Sequence, residues 1–494
     1  MICRHQRMPR WLVYAASLLL VMGPAVASAA EGDAKAQQNK VFRAGAATSN
    51  ITPALGAPIV GNFRIPEAAH VHDELHARCV VLDDGKTQLV FVLCDNVGIP
   101  RSVFDLAKRL VERETGIPAS HQLMAATHTH SGPSARGKNA MDLEAALDDY
   151  QLFLARRIAD GVRRAKNNLE PAQIGWGSAQ LPGQVFNRRW LLKPGTPNLS
   201  PFGVQEKAKM NPGVNNPNLD KPAGPVDPEI SFISIKAVDG RPLALLANYS
   251  LHYVGGVQTG AISADYFGVF AKRMGDLLNT KWQDPPFVGI MSNGTSGDVN
   301  NINFQPKEVK RYKPYEKMKI VAFEAADAVF AQLSSVKYAD WVPLGAEYTE
   351  IPLAVRKPTE EQVAWANEVL AKPEDAPKKH SLERNYARRA LDLAKWPDQL
   401  ACPLQVFRLG DLGVTAIPFE VFTETGLEIK DRTPLGKTFT IELANGSYGY
   451  LPTRSQHALG GYETWLGTNR VEVEAAHKIT DTLIDMLERL KKAE

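Results

Sequence analysis

The stretch MAATHTHSGP, residues 124–133, sets His128 and His130 two apart at the end of a short apolar run. On an extended segment, residues i and i+2 project to the same face, so both imidazoles can approach one point. The pattern suits two metal ligands, or one ligand beside a substrate-facing residue. It suits equally a polar strand end. Ser131-Gly132-Pro133 then forms a tight loop of the kind on which sites sit.

Two other H-x-H arrangements fit poorly. An amidohydrolase barrel carries the pair on the first strand of an eightfold β/α repeat, and a metallo-β-lactamase-like hydrolase follows it with Asp-His; neither context stands here. Further candidates lie far along the chain. His252 falls in NYSLHYVGG, an apolar run ending in glycines. Glu420 interrupts the apolar VTAIPFEVFTETG, and Tyr450 lies in NGSYGYLPT. Asp298 and Asn300 sit in MSNGTSGDVNNIN, a polar segment after the apolar FVGIM.

These residues need elements to hold them. CVVLDDGKTQLVFVLCD reads as a hairpin about Asp84-Gly85, with one strand nearly all apolar and so covered on both faces. SVFDLAKRLVERETG predicts an amphipathic helix with Ser102 as N-cap and Gly116 as its stop. HQLMAATHTH supplies the next strand, and this strand–helix–strand rhythm predicts an α/β fold. Residues 182–228, rich in Pro, Asn and Gly, predict long surface loops. Strands are expected at ISFISIKAV and PLALLANYSLHYV, and helices at YFGVFAKRMGDLL, KMKIVAFEAADAVFAQL, within 357–398, and in the closing RVEVEAAHKITDTLIDMLERLKK. With no internal repeat or clear linker, one large domain over 30–494 is expected, a mixed β-sheet core flanked by helices.

Residues 1–29 read as a cleaved secretory signal. Arg4, Arg7 and Arg10 form the basic region, Trp11 to Met22 the apolar one, and Ala27-Ser28-Ala29 the cleavage site. A soluble periplasmic or secreted protein is therefore expected. The leader removes three of the 57 basic residues and no acids, leaving 54 against 54. That balance points to no nucleic-acid partner and no anionic membrane surface. Of the remaining cysteines, Cys79, Cys94 and Cys402, the first two flank the hairpin out of register by several residues, so buried free thiols are expected.

Six stretches in order, ATHTHSGP, NRR at 187–189, SLHYVGG, SNGTSGDVNN, PFEVFTETG and YGYLPTRSQHALGGYE, resemble the neutral ceramidase family of zinc amidases. The resemblance runs along nearly the whole chain after the leader. It implies one Zn²⁺ per chain held by His128, His252, Glu420 and Tyr450, a set whose nitrogen and oxygen donors suit catalytic zinc. His130 then stands on the same face as His128, beside the ligands or toward the substrate, without binding the ion. Arg188 and Tyr462 take substrate-contacting roles, Tyr462 standing twelve residues past Tyr450 as the family spaces its two tyrosines. His72 is read as a buried structural histidine.

Zinc-activated water attacking an amide carbonyl is the implied chemistry, with His130 as the nearest proton donor for the leaving amine. Asp298 is expected to orient a ligand histidine or to hold its loop. The family motif Gly-Asp-Val-Ser-Pro-Asn is here GDVNNIN, with Asn300 in the serine's place. An acyl-serine scheme is thereby excluded, whereas an oxyanion-donating Asn300 is allowed. The family usually continues into a β-sandwich domain, while this sequence closes on a charged helix, and no lipid-docking hairpin or basic amphipathic helix is evident. The expected function is an exported zinc hydrolase of N-acyl bonds on a small-molecule or lipid-like substrate. The alternatives are a zinc deacetylase or esterase for a carbohydrate or other small polar substrate, and a silent zinc-binding protein.

Overall fold

Eight strands, most of them apolar on both faces, build the larger of two principal sheets. They are β1 (Arg43–Asn50), β2 (His76–Asp83), β3 (Gln88–Cys94), β4 (Gln122–Ala126), β5 (Glu170–Gln180), β6 (Glu229–Ala237), β7 (Pro242–Tyr249) and β8 (Val288–Asn293). Their order across the sheet is β8-β7-β6-β5-β1-β2-β3-β4. The inner pairs are antiparallel, and only the outer pairs, β3 with β4 and β7 with β8, are parallel. The computed structural model describes residues 40–493 other than 62–64, 134, 136–140, 142 and 144; the expected leader, 1–29, lies outside the described residues.

A second sheet comprises β9 (Leu344–Ala354), β10 (Gln399–Leu409), β11 (Leu412–Ile417) and β12 (Lys437–Glu442) in that order, with β11 and β12 parallel. The two sheets pack face to face. Val80, Leu82, Phe91, Leu93, Leu246 and Ile290 of the first share one core with Phe407, Leu409, Val414 and Phe439 of the second. Phe91 meets Phe407 edge-on at 5.2 Å, a contact worth about 0.5–1.5 kcal/mol beyond its buried area.

The alternate residues of the same strands face helices. Cys79, Val81, Val90 and Val92 pack on α1 (Arg101–Thr115) and α2 (Asp149–Asn167). Phe232, Leu245 and Ala247 pack on α3 (Asp265–Leu277) and α4 (Glu316–Gln332). The outer face of the small sheet, through Cys402, Leu404 and Val406, is covered by α5 (Glu360–Ala371), α6 (Glu383–Ala394), α7 (Thr423–Arg432) and α8 (Ala475–Lys492). The result is a helix–sheet–sheet–helix stack, the α/β arrangement with a mixed sheet that the sequence predicts. Strands covered on both faces must be apolar on both, which explains the near-continuous hydrophobic run of β3.

Local details differ from the sequence expectations in instructive ways. Gly116 does end α1, in the left-handed conformation, but Ser102 lies inside the helix and the N-cap is Pro100, whose fixed φ suits a helix start. Cys79 pairs with Val92 and Cys94 with Ala77, so the two thiols miss one another by two residues and remain free and buried. Residues 182–228 are not loop alone: Arg189–Leu192 forms the centre of a small three-stranded sheet between Ala208–Met210 and Leu219–Pro222. His72 is exposed rather than buried, stacked on Tyr315 with ring centroids 3.8 Å apart.

Candidate metal and catalytic centre

The parallel pairs β3–β4, β7–β8 and β11–β12 each send their carboxyl ends to one place, and the site residues follow those ends directly. His128 and His130 come after β4, His252 after β7, Ser296 and Asp298 after β8, and Glu420 after β11. The two sheets are stitched together here. Ala126 N donates to Leu443 O at 3.2 Å and Asn445 N to Met124 O at 2.7 Å, joining β4 to the segment beyond β12. Ligands crowd at strand ends of such sheets because the connecting loops converge there over a rigid base.

His128 is not on an extended segment. Its φ is +72°, a strained value for a residue with a Cβ, and the backbone there is held by its own N–H to Asn96 O at 2.9 Å. The kink still brings the rings together. His128 Nε2 lies 3.0 Å from His252 Nε2 and 3.0 Å from His130 Nε2. His130 is stacked on Tyr253 at 3.7 Å, beneath Gly61, where any Cβ would come within 2.6 Å of its ring.

The other ring nitrogens fix the tautomers. His128 Nδ1 faces Val97 O at 2.6 Å and His252 Nδ1 faces Ser296 O at 3.1 Å. A carbonyl only accepts, so each Nδ1 carries the proton and each Nε2 presents a lone pair. Arg188 Nη1 donates toward His252 Nε2 at 3.3 Å, in keeping with that tautomer. Burial, followed by the neighbouring His128, pushes the His252 pKa well below its ordinary value and keeps the ring neutral. Two neutral rings with lone pairs facing at 3.0 Å repel; Arg188 relieves this at His252 from one side, and a metal cation between the rings would relieve it at both.

The donors fit such an ion. Two ligands of a tetrahedral zinc, each at roughly 2.0–2.1 Å, stand about 3.3 Å apart. Glu420 Oε2 lies 3.4 Å from His128 Nε2 and 3.9 Å from His252 Nε2. Tyr450 is hydrogen-bonded to Glu420 and accepts from Arg188 Nη2 at 2.9 Å. Burial raises its phenol well above the ordinary value, opposed by the Arg188 guanidinium. The nitrogens of His128, His130 and His252 also form a group within 4.8 Å of one another, so His130 stands as a third nitrogen at the same point.

Behind these lie supports the sequence did not disclose. Ser296 Oγ, 3.2 Å from His252 Nδ1, donates to Glu442 Oε1 at 2.8 Å. Glu442, whose carboxyl is raised well above its usual range by burial, also accepts from Val421 N, one residue past Glu420. Glu463 pairs with Arg188 at 2.9 Å and with Arg189 at 2.7 Å, all three buried. Arg188 and Arg189 lie in NRR, Ser296 in SNGTSGDVNN, and Glu463 closes YGYLPTRSQHALGGYE, but those stretches do not show which residues pair; Glu442 had no such signal.

Not every expected residue reaches the centre. Asp298 bonds Thr423 N at 2.9 Å and Asn187 Nδ2 at 2.8 Å, and its own carbonyl accepts from Arg188 N. It therefore caps the start of α7 and ties three segments, while the histidines are oriented by Val97 and Ser296 instead. Burial raises its carboxyl to about 6. Asn300 turns away from the histidines: its Nδ2 donates to Asn211 Oδ1 at 2.7 Å and its Oδ1 accepts from Ile302 N. Arg188 does reach the centre: it is buried, and its guanidinium meets both Tyr450 Oη and His252 Nε2. Tyr462 does line the cavity, of about 190 Å³, that also exposes His128, His130, Glu420 and Tyr450.

Residues 42–308 match the model of the neutral/alkaline non-lysosomal ceramidase N-terminal region. The chain belongs to this family. A neutral ceramidase of Pseudomonas aeruginosa is 22% identical over 460 residues, covering 80% of this chain and 64% of that one. Neutral ceramidase B of Dictyostelium discoideum is 22% identical over 278 residues, 54% of this chain and 36% of its own length. The chain thus spans less than two thirds of the curated relatives it matches. The crystal structure of the Pseudomonas aeruginosa neutral ceramidase superposes with a TM-score of 0.69 at 17% identity, covering 92% of this chain and 75% of that one. The fold of that structure is therefore shared. Among the described residues no helix is long and apolar enough to cross a membrane.

Proposed function

We propose that this chain is an exported, zinc-dependent hydrolase that cleaves an N-acyl amide with water. The observation that carries the reading is the pair of Nε2 lone pairs, His128 against His252 at 3.0 Å, closed by Glu420. His128, His252, Glu420 and Tyr450 would hold the ion. Zinc bound there would lower the pKa of water toward neutrality and polarise the substrate carbonyl.

The chain's own groups do the rest. Arg188, anchored on Glu463, holds the Tyr450 hydroxyl and so acts as a positioning residue for Tyr450. Tyr462 offers its hydroxyl from the cavity wall to orient the acyl group. His130, pinned between Gly61 and Tyr253, carries a proton to the leaving amine. Asp298 and Asn300 hold the loop that follows β8. The amide loses its C–N bond, water supplies hydroxyl to carbon, and the amine leaves protonated.

A second reading, a deacylase of small polar compounds, is favoured by the cavity itself, whose wall includes Arg389 and Arg470. The test is metal content with activity on N-acyl-sphingosine, N-acetyl-sugar and ester panels, before and after chelation. Wild type is expected to carry one zinc and to lose amide hydrolysis on chelation. His252→Ala is expected to lose the metal, and His130→Gln to keep it while losing turnover. Protein without bound metal after gentle purification refutes the reading. Sugar amides cleaved with sphingosine amides untouched select the second one.

A further inference from the structure

The cavity beside the histidines has a second chemical end. Arg389, on α6, enters its wall together with Gly467, Thr468 and Arg470. The guanidinium lies 5.0 Å above the Tyr386 ring. Its polar partners are all hydroxyls: Tyr386 Oη at 3.2 Å, Thr468 Oγ1 at 3.2 Å, and Tyr462. No carboxylate pairs with it among the described residues. Arg188 and Arg189, by contrast, share Glu463.

The fold makes room for this arginine deliberately. Gly467, at φ +89°, lets the loop cross the stem of Arg389, and a Cβ there would lie 2.8 Å from Arg389 Cβ. Glu420, the one carboxylate among the described lining residues, faces the histidines and not Arg389, which leaves positive charge in excess at the Arg389 end. A divalent ion at the histidines would widen the excess. A half-buried cation facing a cavity without a counter-charge is costly, and a bound anion offsets that cost.

We propose that this cavity takes an N-acyl compound bearing a carboxylate, with the carboxylate received by Arg389 and the scissile amide placed at the histidine end. The inference rests on reading the cavity as the substrate site. A guanidinium presents a planar fork that matches a carboxylate. Tyr462 sits between the two ends: it bonds Arg389 and packs edge-on against Tyr450 at 5.8 Å. It therefore lies where the bond linking amide to carboxylate would run, as in an N-acyl amino acid.

The experiment separates this inference from the amidase reading by measuring binding apart from turnover. The probes are the γ-keto acid in which a methylene replaces the amide nitrogen of N-hexanoylglycine, and its primary amide; neither carries the N-acyl bond to be cleaved, and the primary amide is checked to be intact after each titration. Calorimetry on the zinc-loaded full chain is expected to show the acid binding at least about tenfold tighter than the amide, as a charge-assisted contact demands. Arg389→Gln should bring the two to parity, and Arg389→Lys should keep part of the preference. Equal binding of the two probes to wild type overturns the inference without recourse to any variant. N-hexanoylglycine and its amide are then offered as substrates. Selective binding of the acid with no hydrolysis of either, at full zinc, removes the amidase reading and leaves the carboxylate site standing.

Discussion

Glu420 and Tyr450 are register partners in a two-residue parallel ladder, Glu420 against Tyr450 and Val421 against Leu451. Glu420 N donates to Gly449 O at 2.9 Å, and Gly297 N to Val421 O at 2.8 Å. Two residues distant in sequence are thus aimed at one point by backbone pairing rather than by their side chains. Gly297 is required for this, because a Cβ there would fall 2.6 Å from the Glu420 carbonyl oxygen.

Gly297→Ala is therefore expected to displace Glu420. Such overpacking costs about 1–3 kcal/mol, read by denaturant unfolding. The same variant should bind zinc more weakly in a chelator competition. Unchanged zinc affinity would mean that the Glu420 backbone does not set the site.

Gly61→Ala tests His130 without touching a metal donor. The added Cβ would press within 2.6 Å of the His130 ring. Zinc content should hold, while kcat falls roughly tenfold to a hundredfold, the range for a misplaced catalytic group. Loss of zinc along with activity would instead make His130 a ligand.

Asp298 gives a pH signature in stability. Burial raises its carboxyl to about 6 in the folded state, above the unfolded carboxylate value. A raised carboxyl contributes stability that is fully present below about pH 4 and is lost as pH rises through about 6. Wild type should therefore lose stability relative to Asp298→Asn between pH 4 and pH 7, on the order of 2 kcal/mol. Paired denaturant titrations across that window measure the difference; parallel curves would show that Asp298 ionises as an ordinary carboxylate.

Asn300→Ser asks whether the position touches the reaction. Serine retains the local turn bond to Ile302 N and gives up the bond to Asn211, a loss of about 1 kcal/mol. Zinc content and turnover of the best substrate should be unchanged. A large change in kcat at full zinc would place position 300 at the reacting atoms.

The sequence by itself determined the elements that local chemistry controls. The hairpin about Asp84-Gly85, the stop of α1 at Gly116 and the closing helix all follow from period and turn residues. It also determined the family, because six short stretches in fixed order survive where overall identity does not. Tertiary structure decided what depends on distant neighbours. Extended geometry was the wrong reason for His128 and His130 to converge; a left-handed backbone at His128 does it, set by the loop after β3. The burial of Arg188, the brace of Ser296 and Glu442 behind His252, and the placing of Arg389 against the Tyr386 and Thr468 hydroxyls have no local signature. A residue's charge state and reach are fixed by what packs against it, and here those partners arrive from both sheets and from the small-sheet helix α6. Which ring nitrogens meet, and which carbonyls set their tautomers, is a property of that packing, not of the H-x-H spacing.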